Sequence, residues 1–130
     1  MIFLLFIRGT PKPQPRPRIA RGRAYNPPTA DSWRLCVSRA GKRSGQSFTG
    51  PVRVSITFNF VRPPSHFLRG DLRATAPRYP ARVGDIDNLI KSTLDALNGV
   101  LWYDDEQVVD IRAARVYAAS AGAKLAVVDA

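Results

Sequence analysis

The stretch Asp85-Ile86-Asp87-Asn88-Leu89-Ile90-Lys91-Ser92-Thr93-Leu94-Asp95-Ala96-Leu97-Asn98-Gly99 decides how this chain is read. It sets two carboxylates one residue apart at the mouth of a short amphipathic helix, with Lys91 one turn further in. Leu89, Ile90, Thr93, Leu94 and Leu97 recur at helical spacing and form the face expected to be buried. Asp87 or Asn88 is expected to cap the helix, and Gly99 to follow its end. Side chains alternate along an extended segment, so Asp85 and Asp87 are expected to point the same way.

Downstream, Val100-Leu101-Trp102-Tyr103 is an apolar run that returns the chain to the core, and Asp104-Asp105-Glu106 follows in a turn. If the next strand lies beside the segment carrying Asp85, that turn brings a third carboxylate to the same place. Two ionised carboxylates ~5 Å apart repel by about 3 kcal/mol at an effective dielectric of about 20, so such a cluster calls for a neutralising cation or protons. Mg²⁺ takes oxygen ligands and keeps several waters, which makes two or three aspartates sufficient. A bound ion of this kind polarises a phosphodiester and activates a water. Taken singly, Asp-x-Asp-Asn is also an ordinary helix start and Asp104-Asp105 an ordinary surface turn.

Upstream the balance of charge reverses. The net charge is +10, yet residues 1–82 hold 16 Lys and Arg against 2 acids, and residues 83–130 hold 4 against 8. A basic body around an acidic pocket points to a polyanion partner, bound through phosphate neutralisation. Residues 8–28 lack apolar periodicity and interleave prolines with Lys12, Arg16, Arg18, Arg21 and Arg23. Proline favours extended backbone and removes donors, so this is read as an open basic arm or a loosely paired hairpin that grips phosphates. Arg62 and Arg82 belong to a second proline-bearing basic loop over residues 62–82, which also holds His66, read as a surface or DNA-proximal residue.

The remaining segments supply a scaffold. Residues 1–7 form an apolar run too short to span a bilayer and without the pattern of a signal peptide, so a buried first strand and a soluble, cytoplasmic protein are expected. A helix is expected from Ser32 to about Arg39, capped by Thr29 or Asp31, burying Trp33 and Val37 and ended by Gly41. Val52–Phe60 alternates strictly, with Val52, Val54, Ile56, Phe58 and Phe60 on one face. Val108–Tyr117 and Lys124–Val128 read as two closing strands in an antiparallel hairpin. Cys36 is the single cysteine, which excludes an internal disulfide, and it is read as a small buried hydrophobe. The order β, α, β, α, β, β over residues 1–130 indicates a single α+β domain: a mixed β-sheet with two main helices packed against it.

The central residues also match a known pattern. Asp85-Ile86-Asp87-Asn88-Leu89-Ile90-Lys91, then Asp95-Ala96-Leu97-Asn98-Gly99, then Trp102-Tyr103-Asp104-Asp105-Glu106-Gln107-Val108-Val109, resembles the central motif of the RusA family, the Holliday junction resolvases of bacteria and their phages. Arg16-Pro17-Arg18, Gly22-Arg23-Ala24-Tyr25 and Phe60-Val61-Arg62-Pro63 look like its phage-type members. The resemblance implies a homodimeric, Mg²⁺-dependent endonuclease, with Mn²⁺ as a substitute ion, that nicks a four-way junction at symmetry-related positions in recombination and repair. It places that activity in the cytoplasm of a bacterial or phage-infected cell, at the nucleoid. On the matching positions Asp85, Asp87 and Asp105 would be metal ligands and Lys91 would carry charge at the phosphate, while Asp95 and Asn98 are structural. Two departures stand out. Gly84 replaces the usual proline or arginine before the first aspartate, which is expected to loosen the backbone there and leave phosphate contact to Arg82. Arg115 stands where many members have lysine. A flap or fork nuclease, and a junction-binding protein without activity, are the alternatives.

Overall fold

The computed structural model describes residues 2–130. Its centre is the strand β4 (Val52–Phe60), whose alternate residues Val52, Val54, Ile56, Phe58 and Phe60 are all buried. Burying side chains of this size contributes roughly 1.5–3 kcal/mol each, so this one strand anchors the core. The main sheet has four strands in the order β1 (Phe3–Arg8), β8 (Gly122–Asp129), β4, β7 (Val108–Tyr117). Helices α1 (Asp31–Ser44) and α2 (Ile86–Leu97) cover one face, where Trp33, Val37, Leu89 and Leu97 join the strand residues in one hydrophobic cluster. This is the expected α+β arrangement of a mixed sheet and two helices.

The two closing strands do not form a hairpin. β7 runs parallel to β4, with Ile56 opposite Ala113 and Phe60 opposite Tyr117, whereas β8 is antiparallel to both β4 and β1. The reason is topological. α2 carries the chain back to the start of β4, so β7 pairs parallel as the second strand of a β–α–β unit. Residues 118–121 then pass the end of β4, where the Ala118 amide donates to the Phe60 carbonyl at 2.8 Å, and β8 descends on the other side. β7 is thereby left as an edge strand beside the entrance to α2.

Helix α1 is longer than its sequence suggests. It runs through Gly41 and ends at Gly45, which has φ 67°. A side chain at Gly41 would come within 2.7 Å of Val100 and 3.0 Å of Leu97, so the glycine serves close packing against the end of α2 and does not stop the helix. Neither Thr29 nor Asp31 caps α1; its N-cap is Ala30, delivered by a 3₁₀ turn over Pro28–Ala30. Inside the core, Trp33 donates from Nε1 to Thr93 Oγ1 at 3.0 Å, fixing α1 against α2.

Two small hairpins project from this body: β2 (Arg18–Ala20) with β3 (Arg23–Tyr25), and β5 (Phe67–Leu68) with β6 (Asp71–Leu72). The arm is thus a paired hairpin at its tip, and the basic loop over 62–82 contains a hairpin of its own. Both turns are Arg-Gly pairs with positive φ at each residue, 51° and 73° at Arg21-Gly22 and 52° and 85° at Arg69-Gly70. That is the two-residue turn whose twist matches paired strands, usually built from Asn, Asp or Gly. Arginine is an unfavourable choice there.

Candidate active site

The helix α2 starts at least two residues earlier than its sequence suggests: neither Asp87 nor Asn88 caps it, and its N-cap is Asp85, with φ −80° and ψ 139°. The Asp85 carbonyl accepts the amides of Asn88 and Leu89, both at 3.1 Å, while its side chain makes no capping bond. An aspartate at this position ordinarily accepts an amide from the first turn. Here its carboxylate oxygens make no such bond and, among the described residues, remain open to another partner. Asp87 lies in the first helical turn, already inside the helix, so the alternation of an extended strand does not govern it. Asp85, Asp87 and Lys91 are all exposed to solvent.

The backbone entering this helix is pinned, contrary to what a glycine there suggests. Gly84 has φ +94°, and a side chain on it would lie 2.8 Å from Pro13. The guanidinium of Arg115, on edge strand β7, donates to the Gly84 carbonyl. Proline on one side and arginine on the other thus hold the residue before Asp85.

The basic arm is rooted on the same helix. Buried Ser92 donates from Oγ to the Lys12 carbonyl at 2.6 Å, and the Gln14 amide donates to the Asn88 carbonyl at 2.8 Å. Lys12, Arg16, Arg18, Arg21 and Arg23 remain exposed along the arm, as does Arg82 before the helix. Arg62 is placed differently. It is half-buried, 4.2 Å from the centre of the Tyr117 ring, and donates to the Pro77 carbonyl at 2.7 Å. His66 stands edge-on to Tyr117 at 5.4 Å and 3.3 Å from the Arg62 guanidinium. The pair fastens the 62–82 loop over the end of β7.

The second acidic group sits in a 3₁₀ turn, Asp105–Gln107, held by Gln107. The Gln107 side chain donates to the carbonyls of Phe48 and Gly50, both at 3.0 Å, and accepts the Tyr103 amide at 2.8 Å. All its polar capacity goes into fixing the turn. Asp105 has its pKa raised, first by a hydrogen bond with the Asp104 carboxyl, then by partial burial and by the charges of Asp104 and Asp95. A hydrogen bond from Asn98 acts in the opposite direction. Asn98 also accepts from Trp102 Nε1 at 3.1 Å, which orients its amide.

Asp87, Lys91 and Asp95 follow at intervals of four on α2, one stripe with the lysine in the middle. The structure gathers Asp105 with Asp104, Asp95 and Asn98 towards the end of that stripe, while Asp85 and Asp87 stand at its start. Among the described residues no three Asp, Glu, His or Cys side chains converge closely enough to hold an ion by themselves. The donor set is nonetheless one of hard oxygen ligands, and Mg²⁺ is ordinarily held by one or two carboxylates plus waters, which suits the Asp85–Asp87 pair.

Three supporting residues escaped the reading of the sequence: Ser92, Gln14 and Gln107. Ser92 sits at a position that helical spacing leaves neutral, and nothing in the chain signals its bond to a residue 80 positions away. Gln14 is one polar residue among prolines, and its side-chain oxygen is buried without a partner among the described residues. Gln107 lies within the quoted motif, but nothing local signals its bonds to Phe48 and Gly50.

Comparison with known proteins gives a concordant result. The profile of the family described as endodeoxyribonuclease RusA matches residues 8–128, nearly the whole chain. The chain is also similar to the uncharacterized protein YqaN of Bacillus subtilis (strain 168), at 28% identity over 120 residues, covering 85% of this chain and 84% of that protein. The match over residues 8–128 shows the family: the chain belongs to the RusA endodeoxyribonucleases.

Proposed function

We propose that this RusA-family chain is a Mg²⁺-dependent, structure-specific endonuclease that resolves four-way DNA junctions by paired symmetric nicks. The observation that carries the reading is the uncapped Asp85: a carboxylate at a helix N-cap that leaves its own helix unsatisfied and faces solvent beside Asp87. Asp85 and Asp87 would hold the ion, with Asp105 as the third acidic participant. Bound there, a divalent ion polarises the phosphodiester and lowers the pKa of a water. Lys91, one turn along the same stripe, balances negative charge on the scissile phosphate or its leaving oxygen. Arg115 and Pro13 fix the backbone that presents Asp85.

The arm supplies the grip. Its root is bonded to α2 through Ser92 and Asn88, so phosphates held by Arg16, Arg18, Arg21 and Arg23 stand in a set relation to the aspartates. Lys12 and Arg82 flank the site itself. Opposed strands of a junction must be cut at equivalent positions, which a symmetric homodimer does with two copies of one site. Leu4 and Phe6 are exposed on the outer side of β1, with exposed Ile2 just before the strand, and they offer an apolar seam for it. The biological setting that fits is recombination and repair in the cytoplasm of a bacterial or phage-infected cell, in association with the nucleoid; no helix among the described residues is long and apolar enough to cross a membrane.

The deciding experiment incubates purified protein with synthetic four-way junctions, flaps, forks and linear duplexes in Mg²⁺ or Mn²⁺. Paired nicks at symmetric positions in junctions, with duplex left intact, support the reading. Preferred cleavage of flaps or forks replaces it with a branch nuclease. Junction binding without nicking in either ion removes the enzyme altogether.

A further inference from the structure

Beside the aspartates, between the Phe67–Leu72 hairpin and the end of β7, two adjoining hollows of about 560 and 770 Å³ share Val61, Tyr79 and Tyr117 as a common wall. We propose that this double hollow receives one unstacked nucleobase of the bound DNA, with Tyr79 as its stacking platform and Arg78 and Arg82 on the flanking phosphates. The inference rests on the reading of this chain as a DNA-cleaving enzyme, and deepens it by assigning a nucleotide-binding subsite next to the cut.

The lining has the chemistry of a base site. Phe67, Leu72 and Tyr79 are 39%, 51% and 56% exposed, so apolar and aromatic surface around an open hollow lies uncovered. Such surface calls for a partner. The charge around it selects the partner's class: residues 62–82 hold Arg62, Arg69, Arg73, Arg78 and Arg82 against Asp71 alone. A flat apolar ligand carrying negative charge at its edge is what an aromatic wall rimmed with arginines recognises, and a nucleotide is that ligand. Bases within a duplex hide their faces in the stack, so the ring that enters must be an unpaired or extruded one.

The two tyrosines divide the work. Tyr117 already carries the Arg62 guanidinium at 4.2 Å from its ring centre and His66 at its edge, which makes it a fixed back wall. Tyr79 has Arg78 5.5 Å from its ring centre, is 56% exposed, and is the open face. Arg82 and Val83 line the larger hollow, and Asp85 follows two residues later across the pinned Gly84. A base seated here therefore lies next to the phosphate presented to Asp85 and Asp87, where it would set nucleotide preference at the cut.

The test uses 5-iodouracil placed singly at successive positions around the branch point of a four-way junction, and along a single-stranded oligonucleotide. Complexes are irradiated in Ca²⁺ and the cross-linked peptides mapped by mass spectrometry. Affinity is measured in parallel for wild type, Tyr79→Ala and Tyr79→Trp, with circular dichroism confirming that each is folded. The expected result is cross-linking to Tyr79 or Phe67 from one narrow window of positions. Tyr79→Ala should weaken single-strand binding about tenfold, as loss of one stacked base does, and Tyr79→Trp should restore it. An abasic nucleotide at the cross-linking position should weaken binding of wild type and leave Tyr79→Ala unaffected. DNA that binds without cross-linking to either ring, or affinity indifferent to Tyr79→Ala, overturns the pocket. Cross-linking to Tyr79 by a protein that nicks no DNA in Mg²⁺ or Mn²⁺ upholds the pocket and removes the nuclease. Failure to bind either DNA overturns both.

Discussion

Ser92, buried on helix α2, donates a 2.6 Å hydrogen bond to the carbonyl of Lys12, at the root of the basic arm. The helix that begins after Asp85 and the arm that carries Arg16, Arg18, Arg21 and Arg23 are thereby one mechanical unit. Ser92→Ala leaves the Lys12 carbonyl without its donor and should destabilise the protein by about 1 kcal/mol. The functional effect should be larger than that stability loss implies, because the arm is released from the site. Urea unfolding and junction affinity measured side by side check this, the variant binding more weakly at temperatures where it is fully folded.

The arginines at the two hairpin tips trade stability for charge. Arg21 and Arg69 have φ of 51° and 52°, a region that costs an ordinary residue roughly 1–2 kcal/mol and that asparagine tolerates better. Arg21→Asn should therefore raise the unfolding free energy by up to about 1 kcal/mol while weakening DNA binding. If Arg21 contacts one phosphate, the dependence of log affinity on log salt should become shallower by about 0.9. Salt titrations of wild type and variant supply the comparison.

Gly84→Ala tests whether the backbone before Asp85 is held in place. The new Cβ would meet Pro13 at 2.8 Å, at a φ of +94° that side chains rarely adopt. A destabilisation of roughly 1–3 kcal/mol is expected. Cleavage should fall by about a hundredfold, as displacement of a reacting group by about 1 Å does, while binding through the arm changes little. Rates on a fixed junction under single-turnover conditions separate the two effects.

The raised pKa of Asp105 makes a stability prediction with a definite sign. The fold favours its protonated form, so its contribution is fully present below the ordinary carboxyl value of 3.8 and is lost as pH rises through the raised value. Asp105→Asn removes the repulsion from Asp104 and Asp95. Its melting temperature should match that of wild type near pH 3.5 and exceed it at pH 7, as expected for a group whose ordinary pKa is 3.8. Thermal melts across that range are the measurement, and cleavage by the variant should be lost where stability is gained.

Much of this was legible in the chain because the period of its apolar residues is unambiguous. Val52 to Phe60 alternates without a break, and Leu89, Thr93 and Leu97 recur at helical spacing, so the central strand and α2 follow directly. The pairing of β7 was not legible. Its sequence suits either neighbour, and the parallel register with β4 is decided by where α2 returns the chain. Gly41 misleads for a related reason: a glycine that ends a helix and one that admits a neighbouring helix look alike until Leu97 and Val100 are placed against it. At the site, the acids were visible as a pattern, but their supports were not. Ser92, Gln14 and Gln107 act through bonds to residues distant in sequence, which no local pattern encodes. Nor does the chain reveal that Asp105 lies by Asp95 and Asn98, which depends on how Gln107 ties the turn to Phe48 and Gly50.

The central claim is that the carboxylates at the start of α2 serve cleavage and not folding or DNA binding. Asp87→Asn keeps size and shape, lies exposed in the first helical turn, and removes one charge. Nicking of a fixed four-way junction in Mg²⁺ should fall by at least about a hundredfold, since an ion at a phosphodiester supplies several kcal/mol. Junction affinity measured without divalent ions should be unchanged or tighter, because a repulsive charge near the phosphates is gone. Unimpaired nicking by a folded Asp87→Asn protein would contradict the account, as would loss of nicking that merely tracks a loss of junction binding.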